Sequence, residues 1–163
     1  MPFLPALLIA MAASGLVGFL IAWPAVLMKR PFEVVLVTFA FEMVVSYLLM
    51  GWKWAGGALG IRRIPLPSFF GFSLDSLISQ YVLTFIILLI VLFLFLWLYR
   101  SRRGLLFRAI REDESLVEAL GTSTLWSKVL CFTIGAAVLG VAGTVYASVM
   151  HTVNPGAFTW GMT

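Results

Sequence analysis

Few residues of this sequence are suited to catalysis, and they lie far apart along the chain. Glu42 is the only acidic residue within the long apolar segments, His151 is the only histidine and Cys131 is the only cysteine. A single thiol forms no intramolecular disulfide, and a histidine with no Cys, His or acidic cluster beside it favours a structural role. Because no nucleophile–base pair is visible, the sequence predicts neither an enzyme nor a metal site.

Glu42 is notable for its apolar surroundings. An acidic side chain in the middle of a bilayer costs roughly 2.5–3.5 kcal/mol on insertion scales, so it is expected to face the protein interior or water. We interpret Glu42, with Thr38 one helical turn before it, as a candidate lining of a substrate path. The alternative is a buried structural hydrogen bond between Glu42 and either Ser46 or Thr38.

The composition places the chain in lipid. Hydrophobic residues make up 62% and charged residues 11% of its 163 residues, whereas about a quarter of a soluble domain is charged. Four apolar segments reach the roughly 20 helical residues that cross the hydrocarbon core: residues 6–28, 34–52, 81–99 and 125–150. Because backbone groups in lipid must pair within their own segment, the sequence predicts an all-α integral membrane protein with four transmembrane helices.

Two of these segments carry small residues about one helical turn apart. Small residues let helices approach closely in lipid, where little hydrophobic force draws helices together. They predict helix packing, and the lining of a translocation path is the alternative. The residues concerned are Ala10, Ser14 and Gly18 in the first segment, and Ala136, Gly140, Gly143 and Thr144 in the fourth.

The distribution of cations predicts the orientation. Lys and Arg accumulate on the cytoplasmic side of membrane proteins. Assigning residues 29–30, 100–111 and 128 to that side gives it eight cations, and three remain on the other. The connection 100–124 is therefore predicted to be cytoplasmic, with both chain ends outside. We attribute the net charge of +4 to this orientation and not to nucleic-acid binding.

Within the cytoplasmic connection, we predict one short amphipathic helix over Gly104–Gly121. Its apolar residues fall largely on one side, and an i,i+4 ion pair between Arg108 and Glu112 would support the charged side. A short charged helix between two spans is suited to docking a soluble partner. The alternative is a helix that lies on the lipid surface.

The same segment resembles the cytoplasmic loop of permease subunits of ABC-type importers for branched-chain amino acids. The similarity rests on Arg108-Ala109-Ile110-Arg111-Glu112 and Glu118-Ala119-Leu120-Gly121, and Gly56–Gly71 resembles a second family segment. The resemblance implies a coupling helix that contacts an ATPase. The implied coupling residues are Arg108, Ala109, Ile110, Arg111, Glu112, Glu118 and Gly121.

The resemblance also implies a setting for residues 1–163, which are expected to be an internal part of one multi-pass permease domain in the inner membrane. The implied partners are a second permease subunit, two ATP-binding subunits and a periplasmic solute-binding protein. ATP and Mg²⁺ are expected on the ATPase partner, because this sequence has no Gly-Lys-Ser/Thr phosphate-binding loop. Branched-chain amino acids are the implied substrates. Urea, amides or sugars are alternative substrates, and a non-transport scaffold subunit is an alternative role.

Overall fold

The computed structural model describes residues 3–28, 31–53, 56–62, 64, 68–69, 72–73 and 76–155. Four helices in this part of the chain are long and apolar enough to cross a membrane, which confirms the predicted all-α membrane class. Two shorter helices separate the third long helix from the last. In chain order the helices are α1 (Phe3–Leu27), α2 (Pro31–Gly51), α3 (Leu77–Arg100), α4 (Arg102–Glu112), α5 (Glu114–Ala119) and α6 (Thr124–Met150).

Each long helix begins one to four residues before its predicted start. Hydropathy marks the apolar part of a helix, whereas the first turn is defined by residues that satisfy its free N–H groups. Pro31 opens α2, at a position where its missing N–H costs no hydrogen bond. The Ser76 hydroxyl accepts a hydrogen bond from the Ile78 N–H at 3.3 Å and thereby caps α3. Lys29 and Arg30, which are predicted to be cytoplasmic, lie outside the described residues.

The most extensive helix packing joins α1 and α6, which run antiparallel. Trp23 and Trp126 meet edge to face at one end, with ring centroids 5.8 Å apart. At the other end Phe3 and Ser148 are both buried. Helices α2 and α3 pack less extensively against this pair. Most of their apolar side chains are therefore exposed.

The connection between α2 and α3 contains only short elements of secondary structure among its described residues. Its described part contains a 3₁₀ turn, Gly57–Leu59, and short antiparallel strand pairs. Strand β1 (Ile61–Arg62) pairs with β4 (Thr152–Val153), and β2 (Ser68–Phe69) pairs with β3 (Phe72–Ser73).

One glycine explains how this connection reaches the end of α6. Gly60 has a φ of 69°, and a Cβ there would overlap the carbonyl oxygen of Val153. Only glycine combines that backbone conformation with so close an approach. Pro65 and Pro67 of this connection lie outside the described residues.

The prediction of one helix over Gly104–Gly121 was wrong, because the helix is interrupted at Asp113. This residue has extended dihedral angles, and its carboxylate accepts hydrogen bonds from the Leu116 N–H at 3.1 Å and the Ser115 hydroxyl at 2.5 Å. A short acidic side chain that binds the backbone ahead of it competes with helix continuation. Asp113 therefore ends α4 and caps α5.

Candidate functional site

One face of α2 carries Thr38 and Glu42, the two residues of the predicted substrate path, and a third polar residue, Ser46. Thr38, Glu42 and Ser46 are spaced four residues apart, so they share a face of the helix. The Thr38 hydroxyl lies within hydrogen-bonding distance of two carbonyl oxygens of its own helix, that of Val35 at 2.9 Å and that of Val34 at 3.1 Å. Glu42 is half-buried and forms no hydrogen bond or ion pair with any residue that the structure describes. The suggested hydrogen bonds from Glu42 to Thr38 or Ser46 are therefore absent from this part of the chain.

The two sets of small residues face each other across the α1–α6 contact. A Cβ on Gly18 would overlap the Cβ of Ala136, and a Cβ on Gly140 would overlap the Ser14 hydroxyl and approach the Ala10 carbonyl oxygen to 2.7 Å. Neither glycine can be enlarged unless the helices separate.

Two other members of the predicted set have no part in this overlap. Gly143 lies in open space. The Thr144 hydroxyl donates to the Gly140 carbonyl oxygen at 2.9 Å, and Ser148 repeats this bond with Thr144 at 2.8 Å. These hydroxyls are satisfied within their own helix, so they add no polar link to α1.

A compact elbow joins α3 to α4. Ser101 ends the first helix and caps the second. Its hydroxyl donates to the Leu98 carbonyl oxygen at 2.6 Å and accepts from the Gly104 N–H at 3.2 Å. Gly104 is buried, and a Cβ there would overlap the Leu98 carbonyl oxygen. A side chain at position 104 would therefore open the elbow.

Arg108 extends the elbow by folding back on α3. Its guanidinium lies 4.5 Å from the centroid of the Tyr99 ring, and its Nη1 donates to the Tyr99 hydroxyl at 3.4 Å. The predicted ion pair between Arg108 and Glu112 does not form, and within the described residues the ion pair joins Lys128 to Glu114. Arg108 thus binds its own chain through an aromatic ring and not through a carboxylate.

A polar clasp, formed by Glu114, Glu118, Thr124 and Lys128, joins α5 to the start of α6. The Thr124 side chain is 2% exposed, and its hydroxyl lies 2.7 Å from Glu118 Oε1 and 3.0 Å from Glu114 Oε1. A hydroxyl has one proton to donate, so Thr124 satisfies one carboxylate at a time. Glu114 has a second donor, because Lys128 forms an ion pair with it.

The clasp also affects titration of one carboxyl. The hydrogen bond from Lys128 lowers the pKa of Glu114 below its ordinary value of 4.5, and the bond from Thr124 adds to this effect. Partial burial opposes both. The direction of the pKa shift indicates that Glu114 is held in its charged form when the clasp is closed.

We define the coupling segment as α4 and α5. The residues of its outer surface make no polar side-chain contact within the described part of the chain. Arg111 and Glu112 are exposed at the end of α4. Leu116 on α5 and Leu120, the residue directly after α5, are 61% and 78% exposed. Gly121, with a φ of 78°, then lets the chain turn towards α6, and the Thr122 N–H bonds to the Val117 carbonyl oxygen at 3.3 Å.

The structure thus separates the predicted coupling residues into two groups. Arg108 and Glu118 bind other parts of the same chain, whereas Arg111, Glu112 and Ala109 are exposed and Ile110 is half-buried. Sequence reasoning missed Tyr99, Thr124 and Lys128, which hold the segment in place. An aromatic residue nine positions before an arginine gives no recognisable signal, because the elbow that brings the two together is not visible in the sequence.

Apolar grooves flank α3. One of about 490 Å³ lies between α3, α1 and α6, and includes Leu7, Ile87 and Val141. Another, of about 590 Å³, lies between α3 and α6 and includes Tyr81 and Val145. Helix α3 therefore has little direct packing against α6.

One protein family matches the whole chain. A family model described as the branched-chain amino acid transport system permease component matches residues 1–163. The chain is 32% identical to the high-affinity branched-chain amino acid transport system permease protein LivM of Escherichia coli (strain K12), over 92% of this chain and 40% of that protein. It is 32% identical to the LivH permease protein of the same strain, over 59% of this chain and 34% of LivH.

A more distant relative extends the similarity beyond bacteria. The probable LivM permease protein of Methanocaldococcus jannaschii is 26% identical over 91% of this chain and 42% of that protein. No solved structure matches the chain at a significant level. The chain spans about two fifths of the length of the LivM proteins it matches.

Proposed function

The chain belongs to the family of permease components of branched-chain amino acid transport systems, and from this premise we propose that it forms part of the transmembrane pathway of an ATP-driven importer for branched-chain amino acids. The observation that carries the proposal is the family match over the whole chain, together with four helices able to span a membrane. The protein is a multi-pass protein of the inner membrane. ATP hydrolysis is assigned to a separate subunit.

Two groups of residues in the coupling segment have different proposed roles in this importer. Its outer surface offers an exposed charge, Arg111, and two exposed leucines, Leu116 and Leu120, on a short element between two spans. An apolar pair with a charge beside it is suited to a groove on a soluble protein. The ATPase subunit is the proposed occupant. Arg108 and Glu118 are assigned to holding the segment in shape, because both are bound within the chain.

On the membrane side, the Thr38–Glu42–Ser46 face of α2 is the proposed lining of the substrate path. Glu42 has no partner among the described residues, and an unpaired carboxylate in a span is best placed beside water or a polar ligand. The second permease subunit would complete the path, and a periplasmic solute-binding protein would deliver the substrate.

The test is reconstitution of the full-length permease with its ATPase and binding protein in vesicles. ATP-dependent uptake of leucine, isoleucine or valine, with no uptake of urea, would support the proposal. Uptake of urea alone, or a permease that binds no ATPase, would contradict it.

The docking residues are tested in the same system by two matched variants. Truncation of an interface hot spot costs about 2 kcal/mol or more, so Arg111→Ala should weaken ATPase binding on the order of 30-fold. Arg108→Ala should instead alter the segment itself, with a smaller loss of affinity. An equal loss in both variants would contradict the assignment of separate roles.

A further inference from the structure

The coupling segment is joined by polar contacts to a long helix at each of its outer ends. At the first end, α4 is joined to α3 by the Ser101 double cap, the close approach of Gly104 and the Arg108–Tyr99 contact. This elbow has little freedom, because rotation of α4 would drive Gly104 into the Leu98 carbonyl oxygen or lift Arg108 off the ring.

At the other end, α5 is joined to α6 by the polar clasp. Thr124 bonds to Glu118, Lys128 pairs with Glu114, and Val117 is buried. Helix α5 has only six residues, so its contacts through Glu114 and Glu118 attach it to α6 near both of its ends.

Between the two ends lies a single residue. Asp113 has extended dihedral angles, and its side chain bonds only to Ser115 and Leu116, which follow it immediately. Helix α4 also lies against α6, but no hydrogen bond or ion pair joins these two helices within the described residues. Packing without polar links permits small sliding movements.

From these attachments we infer that the coupling segment is a two-armed linkage, in which α4 moves with α3, α5 moves with α6, and Asp113 is the joint. Tyr99, Gly104 and Thr124 are positioning residues that transmit movement from the segment to the two spans. Sparse packing between α3 and α6, with grooves on either side of α3, leaves room for the spans to move relative to each other. The inference rests on the proposed function, since the movement would be driven by the ATPase.

The linkage is tested by spin-label distances in the full-length complex, in a Cys131→Ala background. Labels at Leu92 on α3 and Ala109 on α4 form one within-arm pair, and labels at Ser115 on α5 and Leu139 on α6 form the other. Both distances should be unchanged between the nucleotide-free and ATP-trapped states. The Leu92–Leu139 distance between the arms should shift. A within-arm distance that shifts as much as the distance between the arms would overturn the linkage, as would a fixed Leu92–Leu139 distance.

A matched pair of variants tests the positioning role of Tyr99. Tyr99→Phe keeps a ring under Arg108 and should retain the amount of substrate transported per ATP hydrolysed. Tyr99→Leu removes the ring, and should lower that ratio and broaden the Leu92–Ala109 distance distribution. Equal ratios in the two variants would overturn the role. The unlabelled wild-type complex is measured first: absence of ATP-dependent uptake there overturns the proposed function, whereas a working complex with other movements overturns the linkage alone.

Discussion

Gly18 lies so close to Ala136 that a side chain on the glycine would occupy the same space as the alanine methyl group. The contact lies near the middle of α1 and α6, the pair of helices with the most extensive packing. It sets how near the two helices can come, because neither residue has a flexible side chain that could move aside.

The first prediction concerns this contact. Gly18→Ala should destabilise the permease by about 1–3 kcal/mol, as overpacking of a filled interface does. Gly143→Ala is the matched control, because the space around Gly143 is open. Thermal unfolding in detergent, followed by tryptophan fluorescence, measures both. A Gly18→Ala variant as stable as Gly143→Ala would show that the α1–α6 contact is looser than described.

The second prediction concerns the clasp. Thr124→Val removes the donor to Glu118 and Glu114 while keeping the shape of the side chain, and should destabilise α5 by about 1 kcal/mol. Hydrogen exchange of the α5 amides should rise accordingly. Thr122→Val is the control, since the exposed Thr122 hydroxyl makes no such bond. Equal hydrogen exchange in the two variants would show that Thr124 does not stabilise the clasp.

The third prediction is a pH dependence of the clasp. The pKa of Glu114 is lower in the folded chain than its ordinary value of 4.5, because Lys128 and Thr124 stabilise the charged form. Its contribution to stability is therefore complete above pH 4.5 and is lost as the pH falls through the lower, folded pKa. Fluorescence of Trp126, two residues after Thr124, should report opening of the clasp below pH 4.5. Glu114→Gln should abolish this pH dependence. If the fluorescence transition persists in this variant, it arises from the titration of another group.

The fourth prediction concerns Glu42. Glu42→Leu should reduce substrate uptake, whereas Glu42→Gln, which keeps a polar group on the same face of α2, should be milder. Val44→Leu is the control, because Val44 is 56% exposed and lies on another side of the helix. Thermal unfolding of each variant distinguishes a loss of transport from a loss of folding. Uptake by Glu42→Leu equal to that of the wild type would exclude Glu42 from the path.

The fifth prediction concerns orientation. In a Cys131→Ala background, a cysteine at Thr152 should react with an impermeant maleimide added outside intact cells. A cysteine at Ser115 should react only after the membrane is permeabilised. The expectation follows from the eight-to-three distribution of cations. Labelling of both positions from outside would contradict the four-span arrangement.

The spans were predictable because lipid imposes one simple requirement, a long apolar helix, on each of them. The small residues of α1 and α6 were recognisable by their spacing. Their mutual pairing was not, because a stripe of small residues indicates a close partner without identifying it. Gly18 and Gly140 carry that contact, whereas Gly143 has the same residue type and lies in open space.

The coupling segment was harder to predict because its shape depends on competing hydrogen bonds. The apolar pattern of residues 104–121 favours one helix, and the Asp113 side chain overrides it by bonding to the backbone ahead. Three residues of types that favour helix N-caps stand together at the start of α6: Thr122, Ser123 and Thr124. The capping residue is Ser123, without a side-chain bond, and the Thr124 hydroxyl instead reaches Glu118. Such choices depend on where α5 lies in space, which no local pattern encodes.

The pairing of β1 with β4 constrains the order in which this protein can be completed. Ile61 is paired with Val153, which lies about 90 residues later in the chain. At roughly 5–20 residues per second, the ribosome needs on the order of ten seconds to produce that partner. During that interval α3, the coupling segment and α6 must all be synthesised, and α6 must cross the bilayer. The β1–β4 pairing therefore cannot form before the last of the four described spans is inserted, and its formation marks the completion of membrane insertion for this part of the protein.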